Sequence, residues 1–109
     1  MPIIQNTPLN KQCKLILWEI TEEVDQLLNK VTLTSEEEQK LATISSPTRK
    51  KEFLTTRLMV QTILGKKVGI THNSQGKPIL INSSWDISIT HTKKIVGIIL
   101  GKGMEDLFQ

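Results

Sequence analysis

A histidine with a hydroxyl on each side and two lysines directly after it is the group best suited to binding chemistry. The run is T-H-T-K-K, centred on His91. In a β-strand, alternation puts Ile87 and Ile89 on the same face as His91, and Thr90 and Thr92 on the other. The imidazole, hydroxyl and ammonium groups can together offer an anion several hydrogen-bond donors. The alternative is a β-hairpin with a basic tip and a structurally satisfied, half-buried histidine.

A second candidate is an arginine in the longest predicted helix. Ser46 and Pro47 predict the start of this helix, which should run to about Leu64 and stop at Gly65. Arg57 falls within the apolar arc of the helix, and its guanidinium keeps its charge and therefore needs a partner. It is either a phosphate ligand presented from a rigid helix, or a snorkelling or internally paired side chain.

The elements before that helix are predicted to be one strand and two short helices. The nearly continuous apolar run from Lys14 to Ile20 is typical of a buried strand. Thr21 is predicted to cap a helix with Glu22 and Glu23 in its first turn. The apolar stripe of this helix lies at Val24, Leu27, Leu28 and Val31.

The second short helix begins with an acidic run. Thr34 and Ser35 each precede a glutamate by three residues, which is the spacing of a capping box. Glu36, Glu37 and Glu38 could be taken for an acidic cluster or a metal site. Because carboxylates in a first helical turn are favoured by the helix dipole, we interpret them as a solvated face.

The remainder of the chain reads as strands. A short strand is predicted from Val68 to His72, with His72 at the surface, and Lys77-Pro78 opens the next one. Asp86 to His91 and Ile95 to Leu100 form a hairpin. The predicted fold class is therefore α+β, with a small, partly antiparallel sheet packed by the long helix.

Composition limits the classes of function. The 109 residues are expected to form a single domain, 1–109. A net charge of +3 and 4% aromatic residues argue against a nucleic-acid partner. The single Cys13 cannot form an intrachain disulfide, no segment is long enough to span a membrane, and the N-terminus lacks signal-peptide features. We therefore expect a cytoplasmic protein without a membrane partner.

Four segments in this order and spacing resemble the N-terminal half of the Sfp-type 4′-phosphopantetheinyl transferases: Leu17-Trp18-Glu19-Ile20, Thr56-Arg57-Leu58, Gly76-Lys77-Pro78 and Ile89-Thr90-His91-Thr92. The resemblance implies one half of a two-lobed α+β fold, with coenzyme A bound between the lobes. It implies a transferase that moves 4′-phosphopantetheine from coenzyme A to a serine of an acyl carrier protein, with Mg²⁺. It further implies that Arg57, Lys77-Pro78 and Thr90-His91-Thr92 bind coenzyme A.

The chain also departs from the family pattern. Threonines stand where the family has serines beside His91, and the metal-binding G-x-D-x-E motif is replaced by a segment with Glu105 and Asp106 adjacent. Adjacent strand residues point to opposite faces, so we do not assign metal binding or a catalytic residue to them. The second lobe's W-x-x-K-E motif is missing. We expect a chain that binds coenzyme A but is a poor enzyme alone; the alternative is a non-catalytic interaction module or homodimer.

Overall fold

Three helices and six strands make up the computed structural model, which describes residues 3–10 and 13–101. Their bounds are β1 Ile3–Asn10, β2 Cys13–Glu19, α1 Val24–Lys30, α2 Ser35–Ala42, α3 Pro47–Leu64, β3 Gly69–His72, β4 Pro78–Ile81, β5 Asp86–His91 and β6 Ile95–Gly101. The α+β class predicted from the sequence is confirmed. None of the helices described is long and apolar enough to cross a membrane.

The strands form two antiparallel sheets. The larger has the order β1-β2-β6-β5, and the smaller pairs β3 with β4. The β5–β6 hairpin follows the prediction, with His91 opposite Val96. Strand β1 was not predicted, because its polar and proline-containing sequence gives no apolar alternation.

The core lies between one face of the larger sheet and helix α3. Ile16 and Trp18 of β2, with Ile98 of β6, are fully buried there against Leu54 and Met59 of α3. The alternate residues of β2 are only half-buried. The predicted buried strand is therefore present, with Ile16 and Trp18 buried toward α3 and with less burial on its other face.

Helix α3 begins and ends as predicted. The Ser46 hydroxyl accepts a hydrogen bond from the backbone N–H of Arg49 at 3.4 Å, and Pro47 is the first helical residue. Gly65 ends the helix with a φ of 115°, a backbone conformation that glycine adopts without steric cost.

Helix α1 begins two residues later than predicted, with Glu23 rather than Thr21 as its N-cap. The backbone N–H of Glu23 donates to the Gln26 side chain at 2.8 Å, which stabilises this later start. Glu22 lies outside the helix, where it is 8% exposed and pairs with Lys30 at 3.0 Å. Leu28 was predicted to be a core residue but is 39% exposed.

Candidate functional site

His91 lies at the end of β5 and is held by a carboxylate of helix α3. Its Nδ1 is 2.7 Å from Oε2 of Glu52. The His91 side chain is 54% exposed, whereas that of Glu52 is 14% exposed. An Nδ1–H donated to Glu52 fixes the imidazole ring and leaves Nε2 as the ring nitrogen available to a ligand.

Sequence reasoning missed Glu52 as the partner of His91. The signal was present: Glu52 precedes Met59 by seven residues, which is two helical turns, so both lie on the same face of α3. Met59 is fully buried against the sheet. A carboxylate on that face therefore has to find a partner on a strand, and His91 at the edge of the core provides it.

The two threonines beside His91 differ in their surroundings. The Thr92 hydroxyl accepts hydrogen bonds from the backbone N–H groups of Lys94 at 3.3 Å and Ile95 at 3.1 Å, so it stabilises the hairpin turn. Thr90 is exposed and pairs with Gly97 on β6. Lys93 and Lys94 are exposed at the tip. The basic hairpin tip of the sequence interpretation is confirmed.

Lys77 and Pro78 are positioned by an asparagine-stabilised turn. The Asn73 side-chain oxygen accepts from the backbone N–H groups of Gln75 and Lys77, each at 2.9 Å. Gly76 has a φ of 82°, which favours glycine in this turn. Pro78 is then the first residue of β4, a position where proline is tolerated.

The turn brings Lys77 and Pro78 against strand β5. Lys77 and Pro78 line a groove of about 270 Å³ together with Ile87, Ser88 and Ile89. His91 follows Ile89 by two residues, which is about 7 Å along a strand. Lys77 and Pro78 therefore lie beside the middle of β5, and His91 is the last residue of that strand.

Arg57 lies in a buried ion pair on another face of α3. Its Nε donates to Oε2 of Glu37 at 3.0 Å, and its side chain is 6% exposed. The guanidinium carbon lies 3.5 Å from the centre of the Phe53 ring. Burial lowers the pKa of Arg57, and the charge of Glu37 partly offsets that effect. Of the two sequence interpretations, the internal ion pair is present; phosphate binding by Arg57 stays a prediction.

Glu37 corrects the interpretation of the acidic run. Glu36 and Glu38 are exposed, but Glu37 is 3% exposed. Its carboxylate accepts from the backbone N–H groups of Thr34 at 3.1 Å and Ile70 at 3.4 Å, besides pairing with Arg57. The capping box points this side chain back toward the start of α2, where α3 and β3 enclose it.

The cleft beside Arg57 is electrically balanced. It measures about 320 Å³, and its charged lining consists of Glu36, Glu37, Lys40 and Arg57. His72 also lines it, and its pKa is lowered by burial and by the charges of Arg57 and Lys40, which favours neutral imidazole. Two carboxylates offset two cations, so this cleft has no net attraction for a polyanion.

The structure does not join Arg57 to the His91 segment. Glu52, the partner of His91, and Arg57 are five residues apart on α3, or about 140° around the helix axis. Within residues 13–101, no group of three His, Cys, Asp or Glu side chains could hold a metal ion. Glu105 and Asp106 lie outside the described residues, and the Mg²⁺ that the resemblance implies stays a prediction.

The chain is similar in fold to several solved structures, one of which is described below. No family model matches the sequence, and no curated protein sequence matches it. The fold is similar to that of a holo-(acyl-carrier-protein) synthase from Bacillus anthracis str. Ames, solved in complex with CoA (3′,5′-ADP), with a TM-score of 0.62. The alignment covers 82% of this chain and 92% of that chain at 18% identity. The resemblance to 4′-phosphopantetheinyl transferases thus holds at the level of the fold.

Proposed function

We propose that this chain binds coenzyme A through its phosphates and serves 4′-phosphopantetheinyl transfer to an acyl carrier protein. The observation that carries the proposal is that Lys77 lies against β5, the strand that ends at His91, in a fold similar to that of a synthase solved with CoA (3′,5′-ADP). Arg57 is a less direct phosphate ligand in this account, because its side chain is 6% exposed whereas that of His91 is 54% exposed.

The His91 segment has the donor chemistry that a phosphate needs. Glu52 orients the ring through Nδ1, so that Nε2 is the ring nitrogen that can contact an anion. The Lys77 ammonium adds a positive charge from the facing turn, whereas the Thr90 side chain lies on the other face of β5, beside Gly97 and Leu17. This set suits the phosphate groups of 3′,5′-ADP better than the balanced Arg57 cleft does.

In the proposed reaction, the serine oxygen of the carrier protein forms a bond to the phosphorus that bears pantetheine. The bond from that phosphorus to the bridging pyrophosphate oxygen breaks, 3′,5′-ADP leaves, and the serine proton passes to a base. The described residues hold the leaving group but offer no carboxylate cluster for a metal. We therefore propose that the transfer depends strongly on metal-binding groups that residues 13–101 do not supply.

Calorimetric titration of 3′,5′-ADP tests the proposal. The variant His91→Ala should weaken binding about tenfold, because it removes a charge-assisted donor. The matched control is His72→Ala, an exposed histidine in the other cleft, which should bind like the parent chain. Absence of binding at millimolar ligand, or equal weakening by both variants, would contradict the proposal.

A second candidate is self-association, which is favoured by the face of the larger sheet that the described helices leave uncovered. Leu15, Leu17 and Ile99 are half-buried there and lie outside the core cluster. A contiguous apolar sheet face of this kind suits an isologous contact between two copies. Sedimentation across a concentration series tests it. A monomer at all concentrations would exclude it, and Leu17→Glu should abolish any dimer.

A further inference from the structure

A groove runs between two strands that contact each other without pairing. Among residues 3–10 and 13–101, β4 pairs with β3 alone and β5 pairs with β6 alone. Two adjoining cavities of about 270 and 340 Å³ lie between them and share Lys77, Pro78 and Ile87 as lining residues. The groove therefore runs continuously along β5 from Ile89 to Trp85.

The hydrogen bonds of the two sheets fix which backbone groups border this groove. The Thr92 N–H donates to the Ile95 carbonyl at 2.8 Å. In this register the backbone N–H and C=O groups of the even-numbered β5 residues point toward β6. The N–H and C=O groups of Ile87 and Ile89 consequently point to the free edge of β5.

The same reasoning applies to β4. The Asn73 N–H donates to the Lys77 carbonyl at 3.0 Å, which continues the β3–β4 register in which Thr71 faces Ile79. Alternation then directs the N–H and C=O of Leu80 away from β3. Pro78 contributes a carbonyl on that edge but no N–H.

The lining of the groove is mixed, with Asn73, Lys77, Asp86 and Ser88 as its polar side chains and the rest apolar. Pro78, Ile79 and Leu80 line it from β4, with Ile79 43% exposed. Trp85 and Ile87 line it from the β5 side. A ligand that fits must combine an extended shape, amide groups for the strand edges and short aliphatic segments for the walls.

We propose that this groove holds the pantetheine arm of coenzyme A in an extended conformation. The inference rests on the proposed function, because the arm enters from a pyrophosphate bound near His91 and Lys77. The arm has two amides separated by methylene groups, and about twelve chain atoms, equivalent to roughly four peptide residues. The stretch from Ile89 to Trp85 also spans four residue steps, or about 14 Å.

The arm therefore behaves as a short added strand. Its amides exchange hydrogen bonds with Ile87 and Ile89, its aliphatic segments contact Ile79 and Pro78, and its thiol end lies near Trp85. The phosphates stay at the Lys77 and His91 end of the groove. Coenzyme A should accordingly bind about fivefold or more tightly than 3′,5′-ADP, which lacks the arm.

Paired titrations with coenzyme A and 3′,5′-ADP test the inference, with tryptophan fluorescence as one readout. Trp18 is fully buried in the core, so a fluorescence change on binding reports Trp85. Amide hydrogen exchange is the second readout. Coenzyme A should change the fluorescence and slow exchange at Ile87 and Ile89, whereas 3′,5′-ADP should do neither.

A matched pair of variants distinguishes a loss of groove binding from a general effect of replacing an exposed apolar residue by asparagine. Ile79→Asn changes an exposed apolar residue in the groove and Leu28→Asn changes one on α1. Ile79→Asn should lower affinity for coenzyme A about fivefold without affecting 3′,5′-ADP, and Leu28→Asn should leave both unchanged.

The outcomes distinguish this inference from the proposed function. Equal affinities and equal exchange with both ligands would overturn the arm site while leaving phosphate binding intact. Failure of both ligands to bind would overturn both proposals. Exchange protection at Ile87 and Ile89 by acyl carrier protein in the absence of coenzyme A would mean that the groove binds a peptide strand, and would also overturn the inference.

Discussion

Arg57 and Glu37 connect α3 to α2 through one buried ion pair. Both side chains are over nine-tenths buried, and the carboxylate also bonds the backbone of β3 through Ile70. Removing one partner leaves an uncompensated charge in a site from which water is largely excluded. Arg57→Ala is therefore primarily a stability variant, and a loss of ligand binding in it would not identify a phosphate contact.

We expect Arg57→Ala to lower the free energy of unfolding by about 3–5 kcal/mol, measured by urea denaturation. The double variant Arg57→Met/Glu37→Met should recover most of that loss, because it removes both buried charges at similar volume. A single variant as stable as the parent chain would show that the pair is solvated.

His72 makes a pH-dependent contribution of known sign. Its pKa in the folded protein is lowered from the ordinary value of 6.5, first by burial and then by Arg57 and Lys40. The unfolded chain therefore binds a proton more readily, and this contribution to stability is lost as pH falls through 6.5 toward the lower folded pKa. Unfolding measured from about pH 5 to pH 8 should depend less on pH in His72→Gln than in the parent chain. An identical pH dependence would contradict the assignment.

At this scale the sequence identified groups but not all their partners. His91 and Lys77 were marked by type and motif, and the structure brings both to β5. Glu52 and Glu37 were missed as partners, because each pairing spans at least 20 residues and depends on how helices pack. Local spacing indicates that a buried charge needs a partner without indicating which residue supplies it.

At the scale of elements, α3 and the β5–β6 hairpin were predictable from local signals. Neighbouring residues in the sequence suffice to predict the helix cap at Ser46, the helix end at Gly65 and the alternation along β5. The order β1-β2-β6-β5 was not, because it pairs β2 with a strand some 80 positions later. Nonlocal pairing of this kind leaves no periodic trace in either strand.

Gly97 lies in close contact with Leu17 and Thr90, on the face of the larger sheet that the described helices leave uncovered. A methyl group on its Cα would meet Leu17 Cδ2 at 3.0 Å and Thr90 Cγ2 at 3.2 Å. Gly97→Ala should therefore destabilise the protein by about 1–3 kcal/mol in thermal or urea unfolding. The control Gly69→Ala, whose nearest neighbour would lie at 3.6 Å, should cost less. Partial rescue of Gly97→Ala by Leu17→Ala is expected, and an equal cost for both glycine variants would contradict the contact.

At the scale of the whole molecule, binding of coenzyme A and transfer of its phosphopantetheine group are separate properties. We propose phosphate binding at His91 and Lys77, and the described residues contain no group of three His, Cys, Asp or Glu side chains that could hold a metal ion. Residues 1–109 incubated with coenzyme A, Mg²⁺ and an acyl carrier protein should therefore give at most slow formation of the phosphopantetheinylated carrier, detected by intact mass. Rapid transfer would show that residues outside 13–101, or a second copy, complete the site.

The most direct test of the central claim is the location of the phosphate site. Titration of 3′,5′-ADP into isotopically labelled protein, followed by two-dimensional amide NMR, reports every backbone position at once. The account predicts shifts concentrated at residues 76–78 and 90–92. Shifts concentrated instead at Glu37, Arg57 and His72 would move the site to the balanced cleft, and no shifts at millimolar ligand would contradict coenzyme A binding altogether.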